Sequence, residues 1–154
     1  MISLQEKAGL KGKLRITKRD SLTGEILYQS DWINNKIVSS SGYGRNIIMR
    51  QLAADTTYAI AIDSAQIGTG TNTPADSDIA LQTPTATFSI TDKNVSNDAL
   101  TISIFMTDAL LANGTYSEFG LRCDGRLFSR VLISPTFTKS TNQDTTIDYV
   151  ISLT

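Results

Sequence analysis

Histidine is absent from this chain of 154 residues, and cysteine occurs only once, as Cys123. Without histidine, the usual general base and the commonest metal ligand of proteins are missing. A single cysteine cannot close a disulfide within the chain, and a cysteine nucleophile would have no histidine to activate it. We therefore predict a buried structural thiol at Cys123, with no catalytic residues and no metal site.

An excess of one charge and long apolar runs are also missing. The 14 basic and 15 acidic residues give a net charge of −1, so no electrostatic field attracts nucleic acid or an anionic membrane. The apolar runs are too short to span a bilayer, and residues 1–7 do not have the basic-then-apolar order of a signal peptide. We expect synthesis in a cytoplasm and no nucleic-acid or membrane partner.

Alternation of apolar and polar residues is the main pattern that is present, and it predicts a β protein. The extended segments are residues 10–17, 25–29, 32–38, 58–63, 66–71, 83–91, 100–106, 118–123, 126–133 and 145–153. We predict one domain over residues 1–154, an antiparallel β-sandwich or barrel of about eight or nine short strands. Residues 1–9 form a possible amino-terminal arm, residues 63–65 are expected to be irregular, and residues 93–98 are expected to form a loop.

Residues 43–54 are the one segment with helical spacing. Ile48 and Leu52 are four residues apart and Ile47 flanks them, which predicts a single inserted α-helix. A serine just before this run is expected to cap its amino end. Trp32, in the extended segment before the helix, is expected to anchor in the core.

The strongest local signal is the pair Asp124-Gly125 between two extended segments. Both residue types tolerate the positive backbone angles of a type I′ turn, so the pair predicts a two-residue hairpin. Pro135 is expected to end the second strand, since proline cannot donate a ladder hydrogen bond.

Gly68 and Gly70 alternate with threonine in a strand-like run that leads to Pro74. The run is not a phosphate loop, because no lysine follows the glycines, and we expect no nucleotide or other cofactor. Glycine inside a strand instead indicates that another backbone approaches closely. The same interpretation applies to Gly120, in the middle of a predicted strand.

The charged residues give no convincing active site. Glu118 is the one acid in an apolar setting, and a bond to neighbouring backbone or a pair with an arginine is favoured over catalysis. Arg126 and Arg130 are interpreted as solvated or partner-facing charges. Asp76 and Asp78 fall in a predicted turn and match only the opening of a calcium loop, so replacing either by alanine is expected to change stability only slightly.

Four groups of segments, in chain order, resemble a family of small virion proteins of tailed bacteriophages. They are residues 32–38; the helix around 46–53; Ile67-Gly68-Thr69-Gly70-Thr71 with Pro74 and Asp78-Ile79-Ala80-Leu81; and residues 116–121 with Asp124-Gly125 and 126–131. In that family a Gly-Thr-Gly strand precedes a proline and an Asp-Thr-x-Leu segment. A Glu-Ile-Gly-Leu strand and an Asp-Gly hairpin follow, and Phe119 stands here in place of the usual isoleucine.

The resemblance implies a non-enzymatic structural part of a virion, made in a bacterial cytoplasm and docked as a homo-oligomer on other virion proteins. The tail, baseplate or neck region is the first expectation, and a capsid decoration protein is the alternative. A carbohydrate-binding or receptor-binding module of a tail fibre is a second alternative. The candidate structural or interface residues are Trp32, Gly68, Gly70, Glu118, Gly120, Asp124, Gly125, Arg126 and Arg130.

Overall fold

Eleven strands and one short helix make up the computed structural model, which describes residues 9–153. In chain order they are β1 (Leu10–Asp20), β2 (Ile26–Gln29), β3 (Ile33–Asn34), β4 (Lys36–Ile37), α1 (Arg45–Leu52), β5 (Ile62–Gly68), β6 (Pro84–Ser89), β7 (Asp92–Ser96), β8 (Ala99–Met106), β9 (Gly114–Cys123), β10 (Arg126–Lys139) and β11 (Gln143–Leu153). Residues 1–8, which make up most of the predicted arm, lie outside the described residues.

The strands form two antiparallel sheets. The first has the order β2-β1-β11-β8-β7, with β3 also paired to β1, and the second has the order β4-β10-β9-β5-β6. Neither sheet closes into a barrel, so the architecture is consistent with a sandwich. The predicted mainly β fold with one helix is confirmed.

The core forms because alternate side chains of each strand face the opposite sheet. In the first sheet, partners in register form two buried apolar rows across β1, β11 and β8, namely Leu14, Tyr149 and Ile102, and then Ile16, Ile147 and Ile104. The second sheet contributes Phe119, whose ring centroid lies 6.2 Å from that of Tyr149. Burying each such side chain contributes about 1.5–3 kcal/mol.

The hairpin between β9 and β10 has the predicted two-residue turn. Asp124 and Gly125 have φ values of 51° and 71°, as a type I′ turn requires. Pro135 does not end the second strand, contrary to the prediction. The pairing register shifts between Leu132 and Phe137, so Pro135 has no ladder position to fill and β10 continues to Lys139.

The helix begins and ends inside the predicted range, but its packing differs from the expected pattern. Ile47 is buried, whereas Leu52 is 76% exposed, so the two residues whose spacing indicated the helix, Ile48 and Leu52, do not form its buried face. Gly44, not a serine, occupies the amino-terminal cap position, and no side chain caps the helix. The Arg45 amide instead donates to the Val38 carbonyl at 2.8 Å.

Several strand boundaries differ from the prediction. The extended segment expected at residues 58–63 is a strand only from Ile62 onward, and β9 begins at Gly114 rather than at Glu118. β5 runs without a break through residues 63–65, because it pairs with β6 on one side and β9 on the other. β7 forms where a loop was expected, and all five of its residues are exposed, so it has no apolar alternation to detect. Residues 32–38 divide into β3 and β4, which join different sheets.

We predict a far-ultraviolet circular dichroism spectrum dominated by β-structure, because α1 is the one helix in the described part of the chain. A helix content above about a third of the residues, the average of globular proteins, would contradict the fold.

Candidate functional site

A buried charged centre lies on β9 and β10, around Glu118 and Arg130. Glu118 is 0% exposed and Arg130 is 1% exposed. In the second sheet Glu118 pairs with Gly68 of β5 on one side and with Leu132 of β10 on the other. The connection between β5 and β6, residues 69–83, passes over this carboxylate, and we refer to it as the 69–83 loop.

Five hydrogen bonds from four residues saturate the Glu118 carboxylate. Oε1 accepts from the backbone amides of Gly70 at 3.0 Å and Thr83 at 2.6 Å. Oε2 accepts from the Gln82 amide at 3.0 Å, and from Nη2 and Nε of Arg130 at 3.0 and 3.3 Å. The prediction that Glu118 bonds backbone or an arginine is confirmed, since it does both.

Arg130 joins the same centre from β10. Its Nη1 lies 3.0 Å from Oδ2 of Asp78, and its Nη2 donates to the Asn72 carbonyl at 3.1 Å and also to the Asn72 side-chain oxygen. The interpretation of Arg130 as a solvated or partner-facing charge is therefore wrong. The 69–83 loop covers this guanidinium and supplies two of its partners.

Gly68 and Gly70 make room for the loop above Glu118. A Cβ on Gly68 would lie 2.3 Å from the Thr83 carbonyl oxygen, and one on Gly70 would lie 2.6 Å from Oε1 of Glu118. Both distances are shorter than any real contact of a Cβ atom. The expected close approach of another backbone is present at Gly68, where that backbone belongs to this chain's own loop. At Gly70 the atoms that approach belong to the side chains of Gln82 and Glu118.

Gly120 is also tightly packed, against two side chains and one backbone carbonyl. A Cβ there would lie 3.0 Å from Leu127 Cδ1, from Leu81 Cδ2 and from the Ser129 carbonyl oxygen. Leu81, Leu127 and Val38 form a small buried cluster separate from the main core. Leu81, at the end of the Asp-x-x-Leu segment, thus fixes the loop to the outer face of the second sheet.

The two aspartates of the predicted turn have different environments. Asp76 is exposed and lies 3.6 Å from Lys36 Nζ, which agrees with the expected small effect. Asp78 is mostly buried, pairs with Arg130 and accepts from the Ala75 amide at 2.9 Å. The expectation that replacing Asp78 by alanine changes stability only slightly is therefore withdrawn. Among residues 9–153, no group of three acidic or cysteine side chains could hold a metal ion.

Trp32 is not the core anchor that the sequence predicts. Its side chain is 38% exposed, and Lys13 Nζ and Arg15 Cζ each lie 4.6 Å from the ring centroid. Trp32 lines a surface groove of about 420 Å³ with Tyr28 and Asn34. The ring is held by cations on neighbouring β1 rather than by the interior.

Arg126 is also held within the chain. Its Cζ lies 4.2 Å from the ring centroids of both Tyr43 and Tyr58, and its Nε donates to the Gly42 carbonyl at 2.5 Å. In the neighbouring turn Asp124 accepts from the Ala59 amide at 3.2 Å. The predicted solvated or partner-facing role of Arg126 is replaced by one that fixes the segments on either side of α1.

Cys123 is fully buried, as predicted. Burial raises the pKa of its thiol to about 12, with the nearby charges of Asp63 and Asp124 acting in the same direction. At neutral pH the side chain is therefore a protonated thiol packed in the core, which is a poor nucleophile.

A second buried cation was not found by sequence reasoning. Lys139 Nζ donates to the Asp108 carbonyl at 2.8 Å, to Asn113 Oδ1 at 3.0 Å and to the Asp108 carboxylate. These contacts hold the pKa of Asp108 below its usual range. Lys139 comes just before a polar turn, so the sequence offered no sign of its burial.

Comparisons of the chain with protein-family models, curated protein sequences and solved structures find no significant match. No helix in the described part of the chain has the length and apolarity needed to cross a membrane. What the chain does must therefore be inferred from its own residues.

Because Glu118 and Arg130 are buried, we predict that removing either charge destabilises the protein strongly. Glu118→Gln leaves the buried Arg130 with only Asp78 as an ionic partner, and Arg130→Met leaves the Glu118 carboxylate with none, at a cost of about 3–5 kcal/mol in the free energy of unfolding. Asp76→Asn is the matched control, because its ion pair is exposed, and we expect a change below about 0.5 kcal/mol. Urea unfolding of the three variants measures these values, and equal effects for Glu118→Gln and Asp76→Asn would contradict the interpretation.

The glycines give a separate prediction. Gly68→Ala and Gly70→Ala force the 69–83 loop away from Glu118 and should lower the free energy of unfolding by about 1–3 kcal/mol, as overpacking does. Gly114→Ala is the control, since a Cβ there would find its nearest neighbour at 3.8 Å. Thermal unfolding of the three variants tests this, and an unchanged melting temperature for Gly68→Ala would refute the close approach.

Proposed function

We propose that this protein is a non-enzymatic structural component of a tailed-phage virion, located in the tail, baseplate or neck region. It assembles through contacts between β-rich surfaces, as a homo-oligomer docked on other virion proteins. The observation that carries the proposal is the role of the motifs on which the resemblance rests. Gly68, Gly70, Asp78, Glu118 and Arg130 come from separate segments and meet in one buried centre.

The geometry of that centre suits stabilisation of the fold and does not suit catalysis. A general acid or base must reach a substrate, whereas the Glu118 carboxylate has no exposure and five donors. The one thiol is buried as well. The motif residues together stabilise one buried centre, and this supports a structural protein over an enzyme.

The open sheet edges support assembly. The first sheet ends at β2 and β7, and the second ends at β4 and β6. An edge strand presents unpaired backbone groups that a strand of another subunit can use. β7 is the most accessible of these edges, since each of its five residues is exposed.

A tail-fibre module that binds carbohydrate is the second candidate, and the groove at Trp32 is the observation that favours it. Sugar-binding grooves combine an exposed aromatic ring with polar side chains, and here Trp32 lies beside Tyr28, Asp31 and Asn34. Trp32 is the only tryptophan, so its fluorescence reports on this groove alone. A saturable change of emission with bacterial surface glycans, lost in Asn34→Ala, would favour this candidate over the first.

Mass spectrometry of purified particles tests the main proposal. Virions produced from the genome that encodes this chain should contain it in several copies per particle. Absence of the chain from intact, infectious virions would contradict the proposal.

Electron microscopy of the same particles tests the position. Density for this sandwich in the tail, baseplate or neck is the expected result. Density on the capsid surface would favour the alternative of a decoration protein, and would overturn the position while keeping the structural role.

A further inference from the structure

Lys139, Asp108 and Asn113 come together at one end of the hairpin formed by β9 and β10. Lys139 is the last residue of β10 and pairs in the ladder with Gly114, the first residue of β9. Asp108 and Asn113 belong to the connection between β8 and β9, which ends directly before Gly114. The register therefore places the lysine beside this connection, and its Nζ contacts both the Asp108 carboxylate and Asn113 Oδ1.

The Lys139 amine lies close to an electrophilic carbon. Its Nζ is 3.0 Å from Asn113 Oδ1. A C=O bond is about 1.2 Å long, so Nζ lies within about 4.2 Å of Asn113 Cγ. That separation is near the ~3–3.5 Å from which well-positioned groups react. Asn113 Nδ2 also donates to Thr141 Oγ1 at 2.9 Å, and this second contact fixes the orientation of the side-chain amide.

Asp108 is placed to take a proton from the amine. Its carboxylate accepts a hydrogen bond from Lys139 Nζ, and a carboxylate in that position can act as a general base. The Lys139 side chain is only 1% exposed, so the amine is shielded from water. The hydrogen bond from Lys139 holds the pKa of Asp108 below its usual range. The ion pair is therefore the resting state, and the neutral, nucleophilic amine forms only briefly, which makes the reaction slow.

We propose that Lys139 and Asn113 react to form an isopeptide bond, with Asp108 as the catalytic base and acid. Asp108 takes a proton from Lys139 Nζ, which then attacks Asn113 Cγ and forms a new C–N bond. The bond from Cγ to Nδ2 breaks, and Asp108 passes the proton to the leaving nitrogen. One of the three protons of the lysine ammonium stays on the new amide, and the other two leave with Nδ2 as an ammonium ion. Asp108 ends as a carboxylate, the charges balance, and no oxidant or other reactant is needed.

The bond joins the connection between β8 and β9 to the end of β10. The two linked residues are 26 positions apart in the chain, and a cross-link of this kind stabilises a fold mainly by restricting the unfolded chain. Asn113 is exposed, so the ammonium ion can leave directly to solvent. Each chain reacts once, which is not enzymatic turnover, and the inference does not depend on the virion proposal.

Peptide mapping of the full chain tests the inference. Trypsin cuts after lysine and arginine, so an unmodified chain yields separate peptides 94–122 and 131–139. With the isopeptide bond, peptide 94–122 is instead joined to peptide 131–154, because trypsin does not cut after an acylated lysine. The joined peptide should be lighter than the sum of its two parts by one ammonia. Its absence from the denatured, monomeric wild-type chain overturns the proposal.

The variant Lys139→Arg separates this reaction from a competing one. Asn113 precedes Gly114, and closure of a succinimide between these two residues also releases ammonia. Lys139→Arg keeps a cation at the same position and leaves succinimide closure possible, whereas the joined peptide cannot form. Loss of ammonia confined to peptide 94–122 in both proteins would assign the loss to the succinimide and overturn the proposal.

The variant Asp108→Asn tests the catalytic role. It leaves the amine and the side-chain amide in place but removes the proton acceptor, so the joined peptide should accumulate about 10²–10⁴-fold more slowly after refolding. Asp76→Asn removes an exposed carboxylate elsewhere in the chain and should react at the wild-type rate. A cooperative thermal transition shows that each variant is folded. Equal rates for Asp108→Asn and the wild-type chain would contradict the role of Asp108.

Discussion

The buried carboxylate of Glu118 is the constraint on which the 69–83 loop and the outer face of the second sheet depend. Removing a carboxylate and a guanidinium from water costs several kcal/mol for each ion, and only close pairing with further hydrogen bonds offsets that cost. Here the backbone amides of Gly70, Gln82 and Thr83 complete the bonds that Arg130 leaves open. The loop and the ion pair therefore stabilise each other, because without the loop the carboxylate loses three of its five donors and the guanidinium loses Asp78 and Asn72.

This arrangement gives the two sheets different outer faces. The second sheet has the main core on one side and the loop, with Leu81 packed on Leu127, on the other. The first sheet has no comparable cover among residues 9–153, and its outer side carries Lys13, Arg15 and the half-exposed Trp32. Surfaces available to a partner thus include the outer side of the first sheet and the strand edges, while the Glu118 centre is buried.

Much of the fold could be predicted from the sequence because alternation reports burial between two sheets. β8 and β11 alternate strictly and form strands where the alternation predicts them, and Asp124-Gly125 forms the turn that its residue types favour. β7 could not be predicted in this way, because an exposed edge strand carries no apolar period. Trp32 was misjudged for a related reason: it precedes β3, and an aromatic residue in a segment with an extended pattern is not always buried.

The candidate site was predicted only in part. The closeness of Gly68 to another backbone, and a partner for Glu118, could be inferred from residue type and setting. The burial of Arg130 could not, because its cover comes from Asp78 and Asn72, and Asp78 is 52 residues away in the chain. Such a contact depends on how the 69–83 loop crosses the sheet, and the course of this loop cannot be predicted from the local sequence pattern.

Native-state hydrogen exchange tests the central claim most directly. The amides of Gly70, Gln82 and Thr83 belong to the loop or its end, yet each donates to the buried carboxylate. We predict that these three amides, like those of β8, which is paired on both sides, exchange only through global unfolding. The Thr71 and Asn72 amides, which donate to the exposed Gln82 side chain, should exchange faster. Exchange of Gly70, Gln82 and Thr83 at the rate of the exposed loop amides would contradict the account.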